Sequence, residues 1–172
     1  EQGYEETTVE EIIFESETSK GSFYHYFDGK DALLSTLSSL FDEKYEELTG
    51  LLTPEMTAME QLLFLNRELF HMIEDSISLD LLARLYSTQL TTNGEKHLLD
   101  HNRIYYKLLG KIIAKGQAEG QLSSRSNVNE MVKLYALCER ALLYDWCLCA
   151  GEYALTEYSA KVLPGFLSSF LP

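Results

Sequence analysis

The sequence predicts an all-α protein, with an N-terminal helix-turn-helix head followed by a helical body. Two observations carry this. Apolar residues recur at spacings of three and four in one stretch after another, with no strand signal between them. Hydrophobic residues make up 45% of the 172, enough for a real core. No apolar run approaches the length needed to cross a bilayer, so a membrane is not expected as a partner.

In the first predicted helix Thr8 is the N-cap, Glu11 closes a capping box, and Val9, Ile12 and Ile13 share one face. Ser16-Glu17-Thr18 has no apolar member and reads as a break. Ser19 caps a second short helix whose inward face is expected to hold Phe23, Tyr26 and Phe27, and Asp28-Gly29 ends it. From Lys30 to Leu48 the residues Leu33, Leu34, Leu37, Leu40, Phe41, Tyr45 and Leu48 mark one long helix joining head to body. A domain boundary is expected near residue 46, giving a head over 1–46 and a body over 47–172, with no flexible linker between them.

Within the body, Pro54 suits the start of a helix over about 55–74. Leu81, Leu82, Leu85 and Tyr86 mark another over about 78–91, ended by Asn93-Gly94, and a third is expected over about 95–118, ended by Gly120. The stretch 127–150 is apolar on more than one face and must be covered on several sides. A last helix over about 154–170 carries Pro164-Gly165, where a kink is expected.

The head segment, TTVEEI, a turn, then SKGSFYHYF-x-GK-x-ALL, resembles the TetR family of bacterial transcriptional repressors. The resemblance covers about residues 2–37 in detail, with Gly21, Phe23, Tyr24, Tyr26, Phe27 and Lys30 in register. Beyond them it extends to local phrases such as Gly116-Gln117-Ala118-Glu119-Gly120. Two positions depart from it: Ser16-Glu17 stands where the family has a small residue and glycine, and Thr18 where it has valine.

The resemblance implies a homodimer that grips double-stranded operator DNA with its second head helix and is released by a small-molecule effector. The DNA-contacting set it implies is Thr8, Thr18, Ser19, Lys20, Gly21, Ser22, Tyr24, His25 and Lys30. Lys20 suits a guanine edge or phosphate, Gly21 allows close backbone approach, and Lys30 at a helix start suits a phosphate. The last two helices would pair with their copies, and Leu142, Trp146, Tyr158, Val162 and Phe166 are the expected interface residues.

Charge runs against a DNA reader. Residues 1–48 hold thirteen Asp or Glu and three Lys, a net of −10, while the rest of the chain carries −3. Phosphate contact calls for positive charge. The chain starts at Glu1 where the family has a complete helix before Gly3-Tyr4, so a basic arm on a preceding segment is one expectation. Acids turned away from DNA are the other. A helical interaction protein that no longer reads DNA is the alternative reading.

Eleven tyrosines and eight phenylalanines suit an apolar pocket with polar handles, its candidate lining being Phe64, Phe70, Tyr86, Gln89, Tyr105, Tyr106, Tyr135 and Glu139. A buried Glu139 needs a partner, such as Arg140 of another subunit, a Lys or a cationic ligand. His97 and His101 stand four apart on the predicted third body helix, without a third ligand on their face, and Cys147-x-Cys149 points to opposite sides of a helix. Neither predicts a metal, and no cofactor is expected. No nucleophile–base pair or phosphate loop predicts an enzyme. Three cysteines within one apolar helix read as reduced thiols of a cytoplasmic protein.

Overall fold

Helix starts in this chain are written in side chains that satisfy the orphan backbone N–H groups. Thr8 and Thr57 each accept from the N–H three residues on, while Glu11 and Glu60 return the bond to the cap. Ser19 and Asn127 cap through one side-chain bond. The computed structural model describes residues 3–91 and 96–172, and these are helical without a strand. The helices are α1 Val9–Glu15, α2 Lys20–Tyr26, α3 Lys30–Thr49, α4 Ala58–Ser76, α5 Leu79–Thr91, α6 Ile104–Ala118, α7 Val128–Leu148 and α8 Leu155–Leu167. Short 3-10 turns occupy His97–Leu99 and Ser168–Phe170.

The expected helix over 95–118 is shorter than its pattern. The Asp100 carboxylate accepts from the Asn102 N–H at 2.9 Å, a local turn that competes with helix, and α6 begins only at Ile104. His97 and His101 therefore do not share a helix, and His101 stacks on the Tyr106 ring at 4.5 Å. The expected stop at Asn93-Gly94 lies outside the described residues. α8 continues through Pro164 to Leu167.

The body core is centred on α4, whose Leu62, Leu65, Leu69, Phe70 and Ile73 are buried against Leu109 and Ile113 of α6, Tyr135 and Leu143 of α7, and Leu163 and Leu167 of α8. α4 and α6 approach so closely that a Cβ on Gly116 would lie 2.6 Å from that of Ala58 and 2.9 Å from Leu122. Glu74 of α4 caps α8 across the fold, accepting from the N–H groups of Leu155 at 2.5 Å and Thr156 at 3.0 Å. α3 belongs to this core from Leu34 onward, with Leu37, Phe41, Tyr45 and Leu48 all buried in it.

The head is built differently. α1 buries no residue and α2 buries only Phe23. Tyr26, expected inward, is 76% exposed, while Phe23 is the residue α2 buries and α1 packs on α2. Docking holds the head in place. The Lys30 ammonium donates to the carbonyls of Tyr4, Glu5 and Thr7 and lies 4.5 Å from the centre of the Tyr4 ring. From α5, Asp80 accepts the Tyr4 N–H at 2.6 Å and Arg84 pairs with Glu5. No described helix is long and apolar enough to cross a membrane.

Candidate functional site: a reading helix and a buried polar core

α2 presents Lys20, Gly21, Ser22, Tyr24 and His25 on its exposed side, opposite Phe23. A Cβ on Gly21 would meet nothing nearer than the Ser19 hydroxyl at 3.9 Å, so a partner's backbone or edge can approach there. Ser19 and Thr8 spend their hydroxyls as caps, and Thr18 sits half-buried in the turn. In that turn Glu17 adopts φ +51, the left-handed conformation for which the resembling family uses glycine.

Two lysines are placed otherwise than expected. Lys20 is paired with Glu10 at 3.1 Å, and this bond lowers the carboxyl's pKa and raises the ammonium's. Lys30 is half-buried and its donors are spent on three carbonyls, so it acts as a clamp on the head rather than as a free phosphate ligand.

In the body, the pocket residues named from the sequence fall into separate places. Tyr86, Tyr105 and Glu139 line a small, partly open cavity of about 50 Å³ together with Phe41, Tyr45, Leu69, Ile73, Leu98, Arg103, Arg140 and Leu143. Tyr106 and Gln89 stand at its rim, each bonded to Leu98. Tyr135 donates to the Leu62 carbonyl at 2.8 Å within the core, and Phe70 is wholly buried away from the cavity. Phe64 lines a different space, an open groove of about 610 Å³ between α4 and α8. The two spaces meet at Asn66, which lines the groove, accepts from Ser159 and donates to Glu139 at 2.9 Å.

Glu139 is 3% exposed and takes the phenol of Tyr105 at 2.7 Å on its other oxygen. Its hydrogen-bond partners among the described residues are neutral donors of its own chain. Burial pushes its carboxyl up from the usual range, against the downward pull of those hydrogen bonds and of Arg140. The same burial holds Tyr45, Tyr105 and Tyr135 protonated well above a free phenol and pushes the Cys138 thiol up to about 11.

Between cavity and head stands Arg103, which periodicity did not single out. Its guanidinium grips Asp42 of α3 through two bonds, at 3.0 and 3.1 Å, and the Ser38 carbonyl at 3.0 Å. Tyr45 was legible only as a core residue, and the signal available was its hydroxyl on a face that is otherwise aliphatic or Phe.

Leu142 and Trp146, expected at a subunit interface, are buried inside the chain, where the Trp146 indole donates to the Tyr153 carbonyl at 2.9 Å. The outward stripe of α7 is Leu137, Ala141, Tyr144 and Leu148, spaced four, three and four apart. On α8, Tyr158 is exposed and Val162 and Phe166 are half-buried. Among the described residues no group of His, Cys, Asp and Glu is placed to hold a metal ion.

Residues 1–37 match the family described as bacterial regulatory proteins, tetR family. An uncharacterized HTH-type transcriptional regulator, YuxN of Bacillus subtilis (strain 168), is 41% identical over 54 residues, which span 31% of this chain and 19% of that one. Over the whole fold the chain is similar to the transcriptional regulator FadR from Bacillus subtilis, solved with stearoyl-CoA. The TM-score is 0.76 at 20% identity, covering 98% of this chain and 91% of that one. It is also similar to Thermus thermophilus FadR, a TetR-family transcriptional repressor solved with lauroyl-CoA. There the TM-score is 0.74 at 24% identity, covering 99% and 88%. The match to the tetR family thus covers the head segment, residues 1–37, while over the whole chain the all-helical fold is similar to that of these regulators.

Proposed function

We propose that the protein is a homodimeric transcriptional repressor that binds operator DNA through α2 and is released by a small-molecule effector held in the body. The observation that carries this is the double rooting of α3. Its first residue clamps the N-terminal segment of the head, while its middle is buried in the body and gripped by Arg103, which also lines the small cavity beside Glu139. A change in the cavity thus acts on the helix that carries the head. A ligand alters operator affinity only as far as it prefers one head placement over the other. Residues 1–46 serve as the reading head and 47–172 as the sensing body.

The apolar stripe of α7 and α8 is the surface we assign to the dimer, since Leu137, Tyr144 and Leu148 are large apolar side chains left in water by the single chain. Its two-fold pairing sets two reading helices on successive turns of DNA. The structural neighbours were solved with acyl-CoA molecules, which supports an effector with an apolar portion.

A specific observation favours a second reading, an interaction protein that no longer reads DNA: the head is acidic and its one reading-helix lysine is already paired with Glu10. Binding to DNA from the protein's own promoter region, followed across a salt series, decides between them. Selective binding that weakens with salt and is lost in Lys20→Ala or Tyr24→Ala is the expected result. Absence of selective binding at low salt sinks the repressor reading.

A further inference from the structure

The effector's chemistry can be read from the small cavity lined by Glu139 and Arg140, given the effector-responsive reading above. Phe41, Leu69, Ile73 and Leu143 make its apolar wall, and three polar groups on it have unspent capacity. Glu139 is held by an amide and a phenol, both neutral donors. Arg140 forms no ion pair among the described residues; its guanidinium donates to the Tyr106 hydroxyl at 3.2 Å. The Tyr45 hydroxyl, on a side chain 2% exposed, has no hydrogen-bond partner. Arg103, the other charged group on the wall, is matched by Asp42.

The Glu139 carboxyl is buried and the Arg140 guanidinium half-buried, and the two line one cavity without pairing each other, so each is a charged group a ligand can match. A purely cationic ligand would match Glu139 and leave Arg140 opposed, and a purely anionic one would do the reverse. We propose that this cavity seats a small zwitterion of the amino-acid class. Its ammonium meets Glu139, its carboxylate meets Arg140 and the Tyr45 hydroxyl, and a short apolar side group lies against Phe41, Leu69, Ile73 and Leu143.

At about 50 Å³ the cavity equals the share of one or two water molecules, at roughly 30 Å³ each, so the ligand must displace part of the wall. Leu98 is the piece outside the main helices. It sits in the 3-10 turn, half-buried, held by the Tyr106 hydroxyl on its carbonyl at 2.7 Å and by Gln89 on its N–H at 3.2 Å. Arg103 reaches the His97 carbonyl of the same turn at 3.5 Å as well as Asp42 of α3. Displacing Leu98 therefore loosens the grip on the head-bearing helix.

The test is thermal melting and promoter-DNA binding of the full chain with leucine and phenylalanine. Their amine halves (isoamylamine, phenylethylamine), their acid halves (isocaproate, hydrocinnamate) and lauroyl-CoA serve as comparisons. At least one amino acid is expected to raise Tm by roughly 2–4 °C or more at saturating concentration, with no shift from either half. Glu139→Gln and Arg140→Met should each abolish the shift. Tyr45→Phe, which removes only an unpartnered hydroxyl and should fold as the parent does, should weaken binding roughly tenfold. An amine or acid half that shifts Tm as far as its parent overturns the assignment. So does lauroyl-CoA acting where both amino acids fail, or an absence of any shift. DNA binding read in parallel separates the two ideas: a ligand shift without DNA binding sinks the repressor reading and leaves the site standing, whereas DNA binding without a ligand shift sinks the site.

Discussion

Head and body are both helical, yet they are held by different means. The body buries a continuous cluster from Leu34 to Phe170, with Leu62, Leu65, Ile73, Leu109 and Ile113 fully inside. The head buries one side chain across α1 and α2 and owes its position to caps, the Lys30 clamp and the two contacts from α5. Under the proposed function, a sensing core has to be a single cooperative unit, whereas a reading head has only to be presented at the right place. Local opening should accordingly start in the head.

The sharpest way to break this contrast is to remove a buried side chain from each half. Leu62→Ala should cost the body about 2–5 kcal/mol, seen as a global fall in denaturation midpoint. Phe23→Ala should leave that midpoint nearly unchanged while amide exchange in residues 9–26 accelerates. If both variants lose global stability equally, the contrast is false. Gly116→Ala tests close packing within the body alone, since the added methyl meets Ala58 and Leu122. About 1–3 kcal/mol of destabilisation is expected from urea unfolding.

A smaller effect concerns Glu17. Its left-handed backbone should be eased by Glu17→Gly, adding up to about 1 kcal/mol to the protection of head amides with no effect on the body. The variant also removes a negative charge beside the reading helix, so operator affinity should rise rather than fall. The mildest effect is one of pH. Burial raises the folded-state pKa of Glu139, so the native chain holds that proton above the point at which the unfolded chain releases it. Parent stability relative to Glu139→Gln should therefore be greatest below about pH 4.5 and decline as pH rises from there through the raised pKa. A flat difference between the two melting curves would refute this.

What could be read from the sequence follows the same division. Helix starts were legible at Thr8 and Ser19, because a cap is a local property, whereas Pro54, expected to open a helix, lies in a turn and α4 starts at Ala58 under the Thr57 cap instead. The core helices were legible because their period is. Tyr26 misled, since a helical pattern names a face and not whether anything covers it. Leu142 and Trp146 misled in the reverse way: on a helix apolar all round, pattern cannot say which side meets the chain's own core. Lys30 is a carry-over that the packing of Tyr4 redirects, and Arg103 was silent because a lone arginine between helices gives no periodic signal. Glu139 was visible as a buried acid, but its neutral partners Asn66 and Tyr105 come from helices distant in sequence and only the fold brings them together.

The cap that Glu74 places on α8 bears on how the molecule comes to be assembled. The carboxylate closes a gap of 81 residues to reach the Leu155 N–H, so the first turn of the last helix gains its partners only after α4 and the chain between are in place. That last helix carries Tyr158, Val162 and Phe166, part of the surface assigned to the second copy. Under the proposed assignment, the part of the pairing surface on α8 is complete only in a chain whose α4 already caps that helix.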